Sequence, residues 1–306
     1  MTQTVLSKYC LAMATVLVFT AQRASDGPRV NTVRVRNTEL SYIDVGRGEP
    51  VILIHGALHD YRSWSPTWPE LSKHYRVIAY SQRHNYPNPP LADGSQPSAV
   101  DGAADLVAFV EALALAPAHL VGHSRGANIG LMVARDRPAL VRSLVLGEGG
   151  FPAITALSPE ARLLPADTGQ ALEAYRRGDL EGAARSVAEN VIGTKDAYDR
   201  APLDQRRLLL DNIPREFAAQ LAASRASVPP KFGCIDARQI KVPTLMIGGE
   251  RTAARFRVST EELRKCMPAS DYALLPQATH ALHLENPSAF NTIVLQFLAR
   301  QSKRSG

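Results

Sequence analysis

The residues G-H-S-R-G at 122–126 are the first in this chain of 306 whose types and spacing could do chemistry. A serine with glycine two places before and two after it fits a tight turn between a strand and a helix. There a strained backbone lifts the hydroxyl clear of a sheet and sets it at a helix N-terminus. The flanks agree: H-L-V-G-H-S (119–124) reads as a short apolar strand, and A-N-I-G-L-M-V-A-R (127–135) has helical periodicity. That context makes Ser124 a candidate nucleophile, against the plainer reading of a turn in which its hydroxyl only caps. A second stretch, G-G-E-R-T-A-A-R-F (248–256), follows the apolar run V-P-T-L-M-I and reads as a loop leaving a buried strand. Its only carboxylate is Glu250, with Thr252 two places on. His280-x-x-His283 followed by Glu285 lacks the spacing of a zinc-binding helix, and no Cys-x-x-Cys occurs, so no metal is expected.

The elements that must hold these residues alternate from residue 30 onward. T-V-R-V-R and E-L-S-Y-I-D-V alternate as two early strands, and V-I-L-I-H (51–55) and R-V-I-A-Y (76–80) are continuous apolar runs of buried strands. A helix is predicted over 101–115 from the spacing of Leu106, Phe109, Val110 and Leu113, and V-R-S-L-V-L-G-E (141–148) closes this half as a strand. Residues 151 to about 230 change character, with helical segments and no strand signal. Strands then resume at 244–247 and 271–275, with a helix between them and a last helix over 288–300. This order predicts an α/β fold: a mostly parallel central sheet flanked by helices, functional groups at the carboxyl ends of its strands, and a helical cap insertion. The expected division is a core of 30–150 and 235–300 and a cap of 151–234.

Composition is that of an ordinary globular protein, 45% hydrophobic and 21% charged. The net charge of +6 comes from scattered lysines and arginines without a basic stripe or interleaved aromatics, so nucleic acid is not an expected partner. Residues 9–21 form a short apolar run after Lys8, followed by Q-R-A-S-D-G-P, which fits a signal peptide over 1–24 better than a membrane span. The protein is therefore expected to be periplasmic or secreted, with no stable membrane insertion once the leader is removed. A cytoplasmic location would follow if the leader is not functional. Of the three cysteines Cys10 lies in the leader; Cys234 and Cys266 could bridge in an oxidising compartment but read rather as two buried free thiols, since a large domain does not need a bridge.

From about Thr32 to the last helix the chain resembles the α/β-hydrolase fold family, with motifs in the family's order. H-G-A-L-H-D-Y-R-S-W (55–64) is similar to the family's His-Gly loop after the third strand, G-H-S-R-G to its nucleophile turn, and A-L-L-P-Q-A-T-H (273–280) to the segment carrying its histidine. The resemblance implies that His280 is the general base, with His283 as the rival. It also implies that the backbone N–H groups of Ala57 and Arg125 form an oxyanion hole. The plain reading of the Arg125 side chain itself is that it faces solvent. Many members carry an Asp in a Gly-Glu-x-Asp-like segment after the seventh strand; here Thr252 stands in its place. Glu148, at the end of the sixth strand and followed by Gly149-Gly150, is the expected acid, as in some branches of the family, and Glu250 is the alternative. A further departure is Y-S-Q-R-H-N-Y-P-N-P-P (80–90), where members commonly have Asp-x-Arg-Gly-x-Gly. Arg83 survives, and His84, Asn85 and Tyr86 are expected to pack the loop rather than line a pocket.

A serine nucleophile argues against the alkyl-ester chemistry of dehalogenases and epoxide hydrolases and leaves acyl transfer. The expected reaction is hydrolysis of a small-molecule carboxylic ester or lactone through an acyl-enzyme, with no cofactor. Carbon–carbon bond hydrolysis and cofactor-free perhydrolysis would use the same residues. A non-catalytic ligand-binding role is the reading from a different class.

Overall fold

The computed structural model describes residues 27–89, 95, 97–164, 169–223 and 231–302; the expected leader over 1–24 lies outside them. The first strands are β1 (Val30–Val35), β2 (Thr38–Gly46) and β3 (Pro50–Ile54). A short helix α1 (Trp68–Leu71) leads to β4 (Arg76–Tyr80), then α2 (Ala99–Ala112), β5 (Ala118–His123), α3 (Arg125–Asp136) and β6 (Val141–Gly147). Among the described residues only helices follow: α4 (Pro152–Thr155), α5 (Gln170–Arg176), α6 (Leu180–Ile192), α7 (Ala197–Arg200), α8 (Leu203–Ala222) and α9 (Cys234–Gln239). The chain ends with β7 (Thr244–Gly249), α10 (Ala254–Cys266), β8 (Asp271–Leu275), α11 (Leu282–Glu285) and α12 (Pro287–Ser302).

The eight strands form one sheet in the order β1-β2-β4-β3-β5-β6-β7-β8. β2 runs antiparallel to β1 and β4, and every other pairing is parallel. Successive side chains of a strand face opposite ways, so the central runs split between two cores. Ile52, Ile54, Leu120, Leu144, Leu146 and Met246 pack under α2 and α3 on one face. Val51, Leu53, Val121, Val145, Leu245 and Ile247 pack with Trp64 and α12 on the other. Burial on both faces is why these strands read as unbroken apolar runs instead of alternating.

Register brings the carboxyl ends of the strands to one edge. Gly122 pairs with Ile54, His123 with Gly147, Gly147 with Ile247 and Gly249 with Leu275. The residues leaving these strands, His55, Ser124, Glu148 and Glu250, therefore emerge side by side. The helices between β6 and β7 have an apolar cluster of their own, Ala174, Ala183, Ala184, Tyr198, Leu209, Ile213 and Phe217, which closes on Leu58 after β3. Phe232 and Ala237, by contrast, belong to the cluster under the sheet. No helix among the described residues is long and apolar enough to cross a membrane.

The cysteines correct one expectation. Cys234 and Cys266 are joined by a disulfide rather than held as free thiols. The cause is packing that their spacing does not reveal: α9 lies against α10, which brings the two Cα atoms to 5.1 Å.

Candidate active site

Ser124 sits between β5 and α3 with φ 53° and ψ −118°, a backbone region that non-glycine residues occupy only when their surroundings hold them there. The two flanking glycines explain how the turn closes. A Cβ on Gly122 would lie 2.4 Å from the carbonyl oxygen of Gly126, and one on Gly126 would lie 2.1 Å from that of Ile54. The Ser124 N–H donates to the Gly147 carbonyl at 2.8 Å, which ties the turn to the next strand. The serine side chain makes no capping bond to α3, so the plainer reading of this turn does not describe it. Its hydroxyl forms no hydrogen bond among the described residues and is left half-buried at the strand edge.

One strand over, Glu148 leaves β6 with φ 48°, its N–H donating to Ile247 at 3.1 Å. Its carboxylate is buried and fully engaged. Oε1 accepts the Gly249 N–H at 2.7 Å, and Oε2 accepts the Thr252 hydroxyl at 2.8 Å and faces His280 Nδ1 at 2.7 Å. Thr252, which stands where a carboxylate is common, thus serves the carboxylate that faces the histidine. Glu250 points elsewhere and accepts the N–H of Gln277 at 2.7 Å on the exposed side of the loop.

His280 is held from several directions. Phe256 of α10 stacks on its ring at 3.5 Å with the planes 9° apart, and His123 donates from Nε2 to its carbonyl at 2.7 Å. The loop before it is pinned by Glu285, which accepts from the N–H and hydroxyl of Thr279 at 2.6 and 2.9 Å. With Nδ1 on Glu148, the opposite ring nitrogen is the one available to a reacting group. His283, three residues on, is buried in α11 with its ring stacked on Trp64 at 4.1 Å, and neither of its nitrogens has a hydrogen-bond partner among the described residues.

Burial sets the electrostatics. It pushes His280 down to about 3, so the imidazole is uncharged near neutral pH. It pushes the Glu148 carboxyl up to about 7, against the pull of Gly249 and Thr252. Both shifts oppose a resting ion pair at this position, and the direction that matters chemically is the neutral imidazole. His55, His59, His123 and His283 are likewise lowered chiefly by burial.

The loop after β3 lies against the serine. A Cβ on Gly56 would come within 3.3 Å of the Ser124 Cβ, and glycine is what lets the backbone approach. The next residue, Ala57, is exposed, and neither its N–H nor that of Arg125 makes a hydrogen bond among the described residues. His55 anchors the loop: its Nε2 accepts the Gln82 N–H at 2.9 Å, and its Nδ1 lies 2.7 Å from the Gly56 carbonyl.

A serine at a strained strand-to-helix turn, and a buried carboxylate–histidine pair at the neighbouring strand ends, stand on a sheet of this order. A family model described as the alpha/beta hydrolase family matches residues 51–293. The chain belongs to the α/β-hydrolase family. Its relatives include a (E)-2-((N-methylformamido)methylene)succinate hydrolase of Acinetobacter baylyi. That protein is 32% identical over 264 residues, 86% of this chain and 95% of the relative. Among solved structures, the enol-lactonase from Burkholderia xenovorans LB400 matches with a TM-score of 0.70 and 23% identity, over 88% of this chain and 100% of that one. A thermophilic esterase from Thermogutta terrifontis matches with a TM-score of 0.72 and 22% identity, over 89% and 99%. The two structural likenesses establish a shared fold.

In this α/β hydrolase the Arg125 side chain departs from expectation. It is 13% exposed rather than in solvent, and its guanidinium binds Glu216 of α8 at 2.7 Å. The arginine turns inward because a buried carboxylate from the helical insertion meets it. Asn85 donates to Glu216 at 2.6 Å, and the Tyr86 N–H donates to Asn212 at 2.8 Å. Arg62 pairs with Asp60 at 2.7 Å and Asp211 at 2.8 Å, and its guanidinium lies 4.1 Å over the Tyr86 ring. The loop after β4 thus packs against α8, while Arg83 pairs with Asp105 of α2 at 2.5 Å. Glu216, Asn212 and Asp60 went unnoticed in the sequence. The available signal was Asn212 and Glu216 at i and i+4 on a helix face otherwise made of Leu208, Leu209, Ile213 and Phe217. A surface groove of about 410 Å³ along the end of α10, lined by Glu261, Arg264, Lys265, Met267, Pro268 and Ser270, shares no residue with this constellation.

Proposed function

We propose that the protein is a serine hydrolase that cleaves a small carboxylic ester or lactone through an acyl-enzyme. The Ser124 hydroxyl attacks the substrate carbonyl and passes its proton to the free nitrogen of His280, while Glu148 holds the other nitrogen and offsets the charge that develops on the ring. The N–H groups of Ala57 and Arg125 receive the oxyanion, each worth about 3 kcal/mol in the transition state. His280 returns the proton to the departing alkoxide, which leaves as an alcohol or, from a lactone, stays attached to the acyl group as its hydroxyl. Water, deprotonated by His280, then attacks the acyl-enzyme carbonyl, releasing the acid and restoring Ser124.

The observation that carries this reading is the 2.7 Å contact of the buried Glu148 carboxylate with His280 Nδ1, one strand from a serine at positive φ. An uncharged imidazole at rest supports the role of base. The helical insertion closes its apolar cluster on Leu58, the residue after Ala57, and this supports a substrate with a small, largely apolar group. The Cys234–Cys266 disulfide supports an oxidising compartment, in keeping with the leader read over 1–24. The test is release of 4-nitrophenol from short-chain 4-nitrophenyl esters, alongside a lactone panel. Steady turnover that disappears in Ser124→Ala is expected; turnover surviving that substitution would refute the reading.

A further inference from the structure

The helical insertion reaches the candidate active site with a buried carboxylate. Glu216 lies on the buried face of α8 and accepts the Leu58 N–H at 2.7 Å, Asn85 Nδ2 at 2.6 Å and both terminal nitrogens of Arg125 at 2.7 Å. Arg125 Nε continues to Gln82 Oε1 at 3.0 Å, and the Gln82 amide nitrogen donates to the carbonyl of His55. Leu58 is the residue after Ala57, and Arg125 is the residue after Ser124. One side chain, 158 residues from Leu58 and 91 from Arg125, therefore grips both strand ends that present the two N–H groups left unbonded among the described residues. Leu58 is held at φ 57°, a conformation an apolar residue keeps only under constraint, and the Glu216 bond to its N–H supplies that constraint.

We propose, resting on the acyl-transfer reading above, that Glu216 is a positioning residue whose clamp on Leu58 and Arg125 sets the direction of the two oxyanion-hole donors. Donors of this kind act only when aimed at the place where negative charge develops, so a small rotation of either peptide removes much of their effect. A buried ion pair contributes little net stability compared with apolar side chains of the same shape. Its distinctive contribution here is register between α8 and the two turns: the site is assembled only with the helical insertion seated.

Two variants of the full chain separate positioning from folding. In Glu216→Gln, kcat for 4-nitrophenyl acetate and the rate of Ser124 labelling by a fluorophosphonate both fall roughly 100-fold, while KM moves less than about threefold. In the double variant Arg125→Met, Glu216→Leu, no buried charge is left unpaired, so Tm returns to within about 4 °C of the parent. Labelling stays slow in that protein. Recovery of labelling together with Tm, or a Glu216→Gln protein that labels at the parent rate, would overturn the clamp. Parent turnover that survives Ser124→Ala would overturn the acyl-transfer reading instead, and the clamp with it.

Discussion

Glu148 and Glu216 are both buried glutamates with three partners each, yet folding moves them in opposite directions. Glu148 is pushed up to about 7, while Glu216 is held below the usual carboxylate range. Desolvation is the largest cause for both; the partners differ. Glu216 faces a guanidinium that is always charged, and its attraction together with the hydrogen bonds from Arg125, Asn85 and Leu58 outweighs burial. Glu148 faces an imidazole that burial keeps neutral, so no resting countercharge offsets the loss of water. The contrast teaches how one residue type serves two ends. A permanent partner makes a fixed joint, and in the mechanism proposed above a partner that becomes charged only during reaction keeps its stabilisation for that moment.

The sharpest way to break the comparison is to remove the charge that is held in reserve. Glu148→Gln is expected to lower kcat about 10⁴-fold by favouring the wrong imidazole tautomer. In the parent, kcat/KM should fall about tenfold per pH unit below pH 7, as Glu148, raised to about 7, takes up its proton. A rate independent of pH between 5 and 8 would count against this account.

The fixed joint should respond in stability. Glu216→Leu leaves Arg125 buried and unpaired and should cost about 3–5 kcal/mol in denaturant unfolding, most of it regained on adding Arg125→Met. A smaller effect of opposite sign is expected at Glu148. A carboxyl whose value is raised on folding contributes stability in full below its unfolded value near 4.5 and loses it as pH rises through about 7. Glu148→Gln should therefore gain on the parent between pH 5 and pH 8, by on the order of 1–2 kcal/mol. The least effect belongs to Glu250, whose contact with Gln277 is exposed; Glu250→Gln should change kcat less than about twofold and stability by under about 0.5 kcal/mol.

Much of this was written in local sequence. Strands buried on both faces announce themselves as apolar runs, and G-H-S-R-G carries its own turn geometry. Glu148 was legible because it ends such a run and is followed by two glycines. Thr252 was legible only as a departure, since its role as a donor depends on a carboxylate 104 residues away. The inward turn of Arg125 was illegible for the same reason: an arginine just after the serine of such a turn looks like a surface residue until a helix from elsewhere lays Glu216 over it. Cys234 and Cys266 could be bridged or free on spacing alone, and the packing of α9 against α10 decides between them.

The bends at the tips of β5 and β6 also limit what descent can try there. With Ser124 at φ 53° and Glu148 at φ 48°, a β-branched replacement meets its own backbone before its reactivity counts. Threonine, the closest chemical cousin of serine, is thereby barred from position 124, whereas cysteine or aspartate fits the same bend. If Ser124 is the nucleophile proposed above, a lineage starting from this scaffold can vary that group only along the unbranched routes that the turn leaves open.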